Sequence, residues 1–223
     1  MINGNLRRRI NKPYDAEIEY LQSSGTQWID LGMPIGGFEN IETDIMFLTE
    51  FFQWFGASDE GSYQYKTFNS TYVTSASSNI CFYTNKNNSG KFFNTATNPP
   101  SIGEKTKIQW FGNPYQPFKL NDVASNGNIS ADNLYTPTKN AYIFARNNNN
   151  SVTTSALKPM RLYSFKVEGK MDLIPVRKGT VGYMYDKVSE KFFGNEGSGS
   201  FILGPDVNQV NVIPIEYLES TGT

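Results

Sequence analysis

A stretch of nine residues near the N-terminus comes back at the end of the sequence. It reads IEYLQSSGT at residues 18–26 and IEYLESTGT at residues 215–223, so seven of the nine positions are identical. The offset of 215 − 18 = 197 residues is far longer than the period of about 20–50 residues of solenoids and propellers. We therefore expect the repeated unit to be a whole domain over residues 16–206. A linker at 207–214 and the first strand of a second, truncated copy at 215–223 would follow it.

Short apolar runs alternate with clusters of Gly, Asn, Pro and Ser along the proposed domain. At 41–48 the alternation places Ile41, Thr43, Ile45 and Phe47 on one face, as in a half-buried strand. Similar runs predict strands at 17–21, 26–31, 51–56, 63–73, 79–84, 105–112, 141–146, 160–167, 171–176, 181–186 and 200–203. The 24 Asn and 19 Gly residues suit tight turns. The pattern predicts an all-β sandwich or barrel, with a hairpin tip or loop at 147–150 and at most a short helix near 130–134.

Charge and residue usage exclude several classes of function. The net charge is −1, and after residue 15 acidic residues outnumber basic ones, so the body has no basic face for nucleic acid. The chain has no histidine, which removes the commonest general base and zinc ligand. Cys81 is the only cysteine, so no intrachain disulfide can form. We expect no cofactor, and the absence of long apolar runs predicts neither a signal peptide nor a membrane span.

The first fifteen residues form a basic, polar segment that is too short to fold alone. We expect residues 1–15 to be an attachment arm, with Leu6 and Ile10 as apolar anchors. Arg7, Arg8 and Arg9 would face carboxylates of a neighbouring chain, because clustered guanidinium groups bind carboxylates better than isolated surface pairs do. The simpler alternative is a solvated tail.

Three blocks of sequence resemble a known family. They are IEYLQSSGTQWIDLG from residue 18, NIETDIMF from residue 40 and the long block at 160–205. They resemble the concanavalin A-like, laminin-G-type jelly rolls that recur in virion proteins of tailed bacteriophages of gut bacteria and in some bacterial surface proteins. The resemblance implies two antiparallel sheets packed face to face, a hairpin around residues 187–190, and a flexible loop at 195–200. It also implies that the first and last strands of the domain pair.

Enzymes related to this fold carry a Glu-x-Asp-x-x-Glu strand motif for glycoside hydrolysis. The nearest sequence here has Glu42 and Asp44, but Phe47 takes the third position, so we expect outward strand charges and no catalytic residue. The loops at 58–60 and 85–90 show no calcium-ligand spacing, and no metal site is predicted. Trp54, Trp110, Asn113 and Tyr115 suit a sugar site, but aromatic residues also build cores, and we place no sugar site on them; Trp28 is expected mid-strand in the core.

These observations favour a non-enzymatic virion protein, assembled in the host cytoplasm as a head fibre, decoration or tail-appendage subunit. Its partners would be other virion proteins contacted through the arm and further copies of itself, with a trimer favoured by analogy with symmetric fibres. The alternative is a carbohydrate-binding module of a bacterial surface protein, which would require export. A host-surface glycan is compatible with either function.

Overall fold

The computed structural model describes residues 12–50, 52–59, 67–73, 79–85, 91–92, 101–113, 118–124, 134–153 and 157–207. These ranges contain strands and no helix. The strands are β1 Ala16–Glu17, β2 Leu21–Ser24, β3 Ile29–Asp30, β4 Asn40–Phe47, β5 Phe52–Ser58, β6 Thr67–Val73, β7 Asn79–Asn85, β8 Lys91–Phe92, β9 Lys105–Phe111, β10 Phe118–Leu120, β11 Val123–Ala124, β12 Tyr142–Ile143, β13 Asn147–Asn148, β14 Ser151–Val152, β15 Pro159–Val167, β16 Met171–Lys178, β17 Val181–Asp186, β18 Phe192–Phe193 and β19 Ile202–Leu203.

The strands form two sheets. The larger has the order β11-β10-β9-β4-β15-β16-β17-β18, with β1 paired to β16 and with β2 lying between the first half of β15 and β19. The smaller has the order β14-β13-β5-β6-β7-β8, with β12 paired to both β5 and β3. All pairs are antiparallel except β13 with β5. This is the two-sheet, all-β architecture that the sequence predicts.

The core lies between the sheets and is built from the inward residues of their strands. On β4 the predicted set, Ile41, Thr43, Ile45 and Phe47, is buried. Aromatic rings cross the space between the sheets: the Phe55 and Phe165 centroids are 5.0 Å apart, and those of Phe47 and Trp54 are 6.4 Å apart. Such rings bury large apolar areas and dominate the stabilisation of a sandwich core.

Two β-bulges change the phase of the alternation. On β15 the register against β4 shifts between Leu162 and Ser164, so Met160 and Leu162 point inward before the shift, and Phe165 and Val167 after it. On β5 a similar shift allows the adjacent Trp54 and Phe55 both to be buried. An extra residue on one strand causes this change of phase. Strict alternation alone does not predict these inward positions.

Two hairpins turn through a pair of residues that both have positive φ. The predicted tip at 147–150 joins β13 to β14 through Asn149 and Asn150, at φ 51° and 67°. Asn121 and Asp122, at φ 47° and 65°, join β10 to β11, a hairpin that the sequence analysis missed. Two-residue hairpins favour this backbone because its twist matches that of the strands, and Asn and Asp tolerate it better than other non-glycine residues.

The turn after β17 is held by a buried carboxylate. Asp186 is 1% exposed and accepts hydrogen bonds from the backbone N–H of Asp172 (2.8 Å), Val188 (3.1 Å) and Ser189 (3.1 Å), and from the Ser189 hydroxyl (2.6 Å). Burial alone would raise the pKa of Asp186, but the four hydrogen-bond donors together lower it by more than burial raises it. The net shift of the pKa is therefore downward. The predicted hairpin around residues 187–190 is therefore confirmed.

Several predicted strands are shorter or divided. The run at 141–146 forms only β12, because Phe144 adopts a φ of 65° and turns the chain. The run at 17–21 is divided between β1 and β2 because Glu17 pairs with β16 whereas Leu21 pairs with β15 and β19. Leu134, at the end of the predicted helix, is not helical, and residues 130–133 lie outside the described ranges.

The beginning and the end of the proposed domain are adjacent. Ile18 forms an isolated β-bridge with Asp206, and the Val207 N–H donates to the Glu17 carbonyl at 2.9 Å. A bidentate ion pair, with Arg177 Nε and Nη2 at 2.7 and 2.6 Å from the two Asp206 carboxylate oxygens, fixes the outgoing chain. The expected pairing of first and last strands is confirmed. Residues 208–223, with most of the predicted linker and the truncated copy, lie outside the described ranges.

Candidate functional site

The outward side chains of the three central strands of the larger sheet, β4, β9 and β15, form a charged surface that we call the outer face. Because successive strand residues point to opposite sides, Glu42 and Asp44 point outward while Thr43 and Ile45 are buried. The register places Glu42 beside Gln109 on one neighbouring strand and beside Lys166 on the other. The outer face therefore collects polar groups from segments more than 120 residues apart.

Ion pairs and cation–π contacts occupy much of the outer face. Lys107 Nζ lies 3.4 Å from Glu42 Oε2 and 3.5 Å from Asp122 Oδ1, and Lys105 Nζ lies 3.1 Å from Asp44 Oδ2. Lys105 also sits 4.6 Å from the centroid of the Tyr163 ring. These groups are partly solvent-exposed, so each pair contributes at most about 1 kcal/mol. They place Glu42 and Asp44 beside ammonium groups of the neighbouring strand β9.

A shallow groove of about 210 Å³ crosses one end of the outer face. Its lining includes the side chains Asn40, Glu42, Gln109, Phe111, Lys166 and Glu168. The Gln109 Nε2 donates to Glu42 Oε2 at 2.6 Å, and the Asn40 Nδ2 donates to Glu168 Oε2 at 2.5 Å. Amide, ammonium and carboxylate groups beside a half-buried aromatic ring can hydrogen-bond hydroxyl-rich ligands. We call this feature the Glu42 groove.

The geometry does not favour acid–base chemistry on β4. Phe47, which takes the third position of the carboxylate motif, is fully buried on the opposite face from Glu42 and Asp44. Although burial lowers the pKa of Lys107, the carboxylates Glu42 and Asp122 raise it, and the net shift is upward. A general base must be unprotonated at the working pH to accept a proton, and a lysine with a raised pKa stays protonated there. Glu42 and Asp44 are outward strand charges, as predicted.

The described residues contain no cluster of three or more Cys, Asp or Glu side chains that could hold a metal ion. Asp59, from one of the loops considered for calcium, uses its carboxylate within the chain. It accepts from the Tyr135 hydroxyl at 2.5 Å and from the Thr138 backbone N–H and hydroxyl at 2.7 and 2.8 Å. Residues 60 and 86–90 of the two loops fall outside the described ranges.

Two of the three tryptophans belong to the core. Trp54 and Trp110 are fully buried, and Trp110 Nε1 donates to the Gly37 carbonyl at 3.0 Å, so neither ring is available to a sugar. The expectation for Trp28 is wrong in detail: it precedes β3 and is only partly buried. Its ring centroid lies 4.3 Å from that of Tyr142, and Gly197 of the loop at 195–199 packs beside it. Asn113 is exposed, and Tyr115 falls in a range that is not described.

The base of the N-terminal arm is attached to the domain. Lys12 pairs with the Glu17 carboxylate, which also accepts from the Tyr14 hydroxyl at 2.9 Å. The hydrogen bond from Lys12 is the main cause that lowers the pKa of Glu17. The Tyr14 ring packs edge-on against Tyr185, with centroids 5.1 Å apart. Lys12 is thus engaged within the chain, whereas Leu6, Arg7, Arg8, Arg9 and Ile10 lie outside the described residues.

The sequence analysis identified Glu42 but not the rest of the groove. The signal for Gln109 and Lys166 is their place in alternating strands, where both occupy outward positions. That signal becomes useful only when the strand order is known, because β4 lies between β9 and β15 although they are far apart in sequence.

The described part of the chain contains no helix long and apolar enough to cross a membrane.

The architecture resembles that of a solved pentraxin. A native heptameric SAP-like pentraxin from Limulus polyphemus superposes with a TM-score of 0.53 at 9% identity, covering 86% of this chain and 98% of that one. At this identity the likeness concerns the fold alone. The fold class is therefore the concanavalin A-like jelly-roll sandwich that the family resemblance implies. No protein-family model matches the chain, and no curated protein gives a significant match.

Proposed function

We propose that the chain is a non-enzymatic structural subunit of a virion, with its jelly-roll domain as one member of a tandem array. The observation that carries the array is the adjacency of Ile18 and Asp206 at the beginning and end of the domain, together with the repeat of residues 18–26 at 215–223. A domain whose ends meet can be added repeatedly to a chain without disturbing its fold. The virion setting rests on the resemblance of the sequence blocks to phage jelly rolls.

The proposed attachment device is the segment with Leu6, Arg7, Arg8, Arg9 and Ile10. A symmetric homo-oligomer would present several arms together, and their combined binding would exceed that of a single arm through effective concentration. The fixed base of the arm, where Tyr14 and Asp15 bond to the domain, would transmit this attachment to the sandwich. Other virion proteins would supply the facing carboxylates.

Deleting residues 2–11 is expected to abolish incorporation into virions and to leave the melting temperature of the domain unchanged. The deletion spares Lys12, so the Lys12–Glu17 pair and the Tyr14–Tyr185 contact remain. The measurement is quantitative mass spectrometry of purified particles together with calorimetry of the free protein. A variant with Arg7, Arg8 and Arg9 replaced by Ala separates charge from length. Normal incorporation of the deletion would show that the segment is a solvated tail.

A second candidate function is glycan binding, and the Glu42 groove is the observation that favours it. The groove offers one ammonium, two carboxylates and two amides within a shallow surface cavity. Glu42→Gln is expected to weaken glycan binding about ten- to hundredfold, since a hydrogen bond to a charged group contributes roughly 1.5–3 kcal/mol. Asp44→Asn is the matched control, because Asp44 points outward from the same strand but does not line the groove.

One set of assays tests both the groove and the absence of catalysis. The purified protein is applied to a glycan array and incubated with β-glucan, and binding and newly formed reducing ends are measured. Binding that falls in Glu42→Gln but not in Asp44→Asn supports the groove. No binding to any glycan, or equal loss in both variants, contradicts it. Release of reducing ends that disappears in Glu42→Gln would contradict the non-enzymatic assignment.

A further inference from the structure

The first copy of the nonapeptide, at residues 18–26, contains β2, which fills a defined slot in the larger sheet. Strand β2 lies between β15 and β19, with Leu21 opposite both Leu162 and Leu203. Before β2, the Glu19 N–H donates to the Pro205 carbonyl at 2.8 Å, and the Gly204 N–H donates to the Tyr20 carbonyl at 2.9 Å. The slot therefore has a backbone ladder on each side, and we call it the β2 slot.

Burial, a hydrogen bond and backbone conformation restrict the residue type at four positions of the segment in the β2 slot. Ile18, Leu21 and Ser23 are 2%, 0% and 0% exposed. The Ser23 hydroxyl accepts from the Gly25 N–H at 3.0 Å, and Gly25 has a φ of 103°, a conformation that strongly favours glycine. A segment that can replace residues 18–26 must match these four positions.

Residues 215–223 have the same residue types at all four positions. Their two differences from residues 18–26 fall at positions that are not fully buried. The positions of Ile18, Leu21, Ser23 and Gly25 hold the same residue types in the copy. The differences are Glu219 for Gln22 and Thr221 for Ser24, and Gln22 is half-buried while Ser24 is exposed.

The exchange of Gln22 for Glu219 favours the copy at one contact. The Gln22 Oε1 accepts from Arg161 Nε at 2.7 Å. A glutamate at this position would replace a neutral acceptor with a carboxylate, and charge-assisted hydrogen bonds to arginine are stronger than neutral ones. In the slot, the copy would therefore keep the buried residue types of residues 18–26 and would add an ion pair with Arg161.

The copy is close enough in sequence to reach the slot of the same molecule. Asp206, the bridge partner of Ile18, is separated from Ile215 by the eight residues 207–214. Because β19 and β2 are antiparallel, a hairpin with this eight-residue loop would place Ile215 opposite Asp206 in the register that Ile18 now has. A loop of this length closes at modest entropic cost.

We propose that the β2 slot has two alternative occupants in one chain, residues 18–26 and residues 215–223. The structure shows the first occupant, which has further anchors: Ala16 pairs with Arg177, and Glu17 accepts from Tyr14. The copy lacks an equivalent of the Glu17 contact, because Pro214 precedes Ile215. Residues 18–26 are thus the favoured occupant, and the copy takes the slot when they are weakened. This exchange does not depend on the virion function.

Aspartate substitutions test the exchange in the full chain. Leu21→Asp is expected to remain folded, with only a small decrease in the denaturation midpoint, because Leu218 replaces the lost leucine. Leu162→Asp, at an equally buried position opposite Leu21 for which residues 207–223 hold no copy, is expected to unfold the protein. Leu218→Asp alone should have no effect, whereas Leu21→Asp combined with Leu218→Asp should unfold it. If Leu21→Asp unfolds the chain, or if adding Leu218→Asp changes nothing, the proposal is wrong.

Disulfide trapping identifies the occupant directly. Ile202 pairs with Gln22, so Ile202→Cys with Gln22→Cys, in a Cys81→Ser background, is the positive control for geometry. Ile202→Cys with Glu219→Cys in the Leu21→Asp chain is expected to form an intramolecular disulfide of similar yield, seen on a non-reducing gel and by peptide mapping. A substantially lower yield is expected when Leu21 is intact. No disulfide, or a disulfide found only between two chains, would overturn the intrachain exchange.

Discussion

Replacing Trp110 by alanine is expected to lower the free energy of unfolding by about 3–5 kcal/mol, the range for removing a large aromatic side chain from a core. Trp110 is fully buried on β9, and its indole Nε1 donates to the Gly37 carbonyl at 3.0 Å. The substitution leaves a cavity between the sheets and an acceptor that has lost this donor. Chemical denaturation monitored by circular dichroism measures the change.

Two further variants separate packing from hydrogen bonding. Trp110→Phe keeps most of the ring volume and loses the indole N–H, so its cost should be about 1–3 kcal/mol. Phe38→Ala removes an aromatic ring that is 60% exposed and should change stability by less than about 0.5 kcal/mol. A Trp110→Ala protein that stays fully stable but loses glycan binding would show instead that the ring serves as a sugar platform.

The two-sheet fold is predictable from sequence because its signals are local. The alternation on β4 and the asparagines at 147–150 each determine a strand or a turn without reference to distant residues. The bulge between Leu162 and Ser164 is not predictable in this way, because it depends on pairing with β4 across more than 100 residues. The local sequence pattern therefore predicts the number and type of strands and turns better than it predicts which residues of a strand point inward.

The candidate site, like the fold, is only partly predictable from local sequence. Glu42 is recognisable from sequence because Glu42 and Asp44 match the first two acidic positions of the Glu-x-Asp-x-x-Glu glycosidase motif. Gln109 and Lys166 have no motif, and they become part of one groove only because β9 and β15 flank β4. The proposed arm residues remain a prediction from composition, since the residues described begin at Lys12.

The loop at 195–200, which the sequence suggests is flexible, is extensively bonded to the segment before β3. The Glu196 N–H donates to the Trp28 carbonyl at 2.9 Å, and Asn195 Oδ1 accepts from the Trp28 N–H at 3.3 Å. Ser198 joins the same segment: its N–H donates to the Thr26 carbonyl at 3.2 Å, and its carbonyl accepts from the Thr26 hydroxyl at 2.9 Å. The small residues of this loop permit close packing of two backbones.

Gly197→Ala is expected to detach this loop and lower the free energy of unfolding by about 1–3 kcal/mol, the usual cost of overpacking. A methyl group at Gly197 would lie 2.1 Å from the Thr26 carbonyl oxygen and 3.1 Å from Gln27 Cα, both in the main chain, which cannot rotate away. Gly194→Ala is the matched control, because its methyl group would meet only the Tyr183 ring at 3.4 Å, an ordinary contact. Trp28 beside the loop is the partly exposed tryptophan, while Trp54 and Trp110 are buried, so detachment should shift tryptophan emission to longer wavelength in Gly197→Ala alone. Equal stability and equal emission in the two variants would show that the loop does not depend on close packing at Gly197.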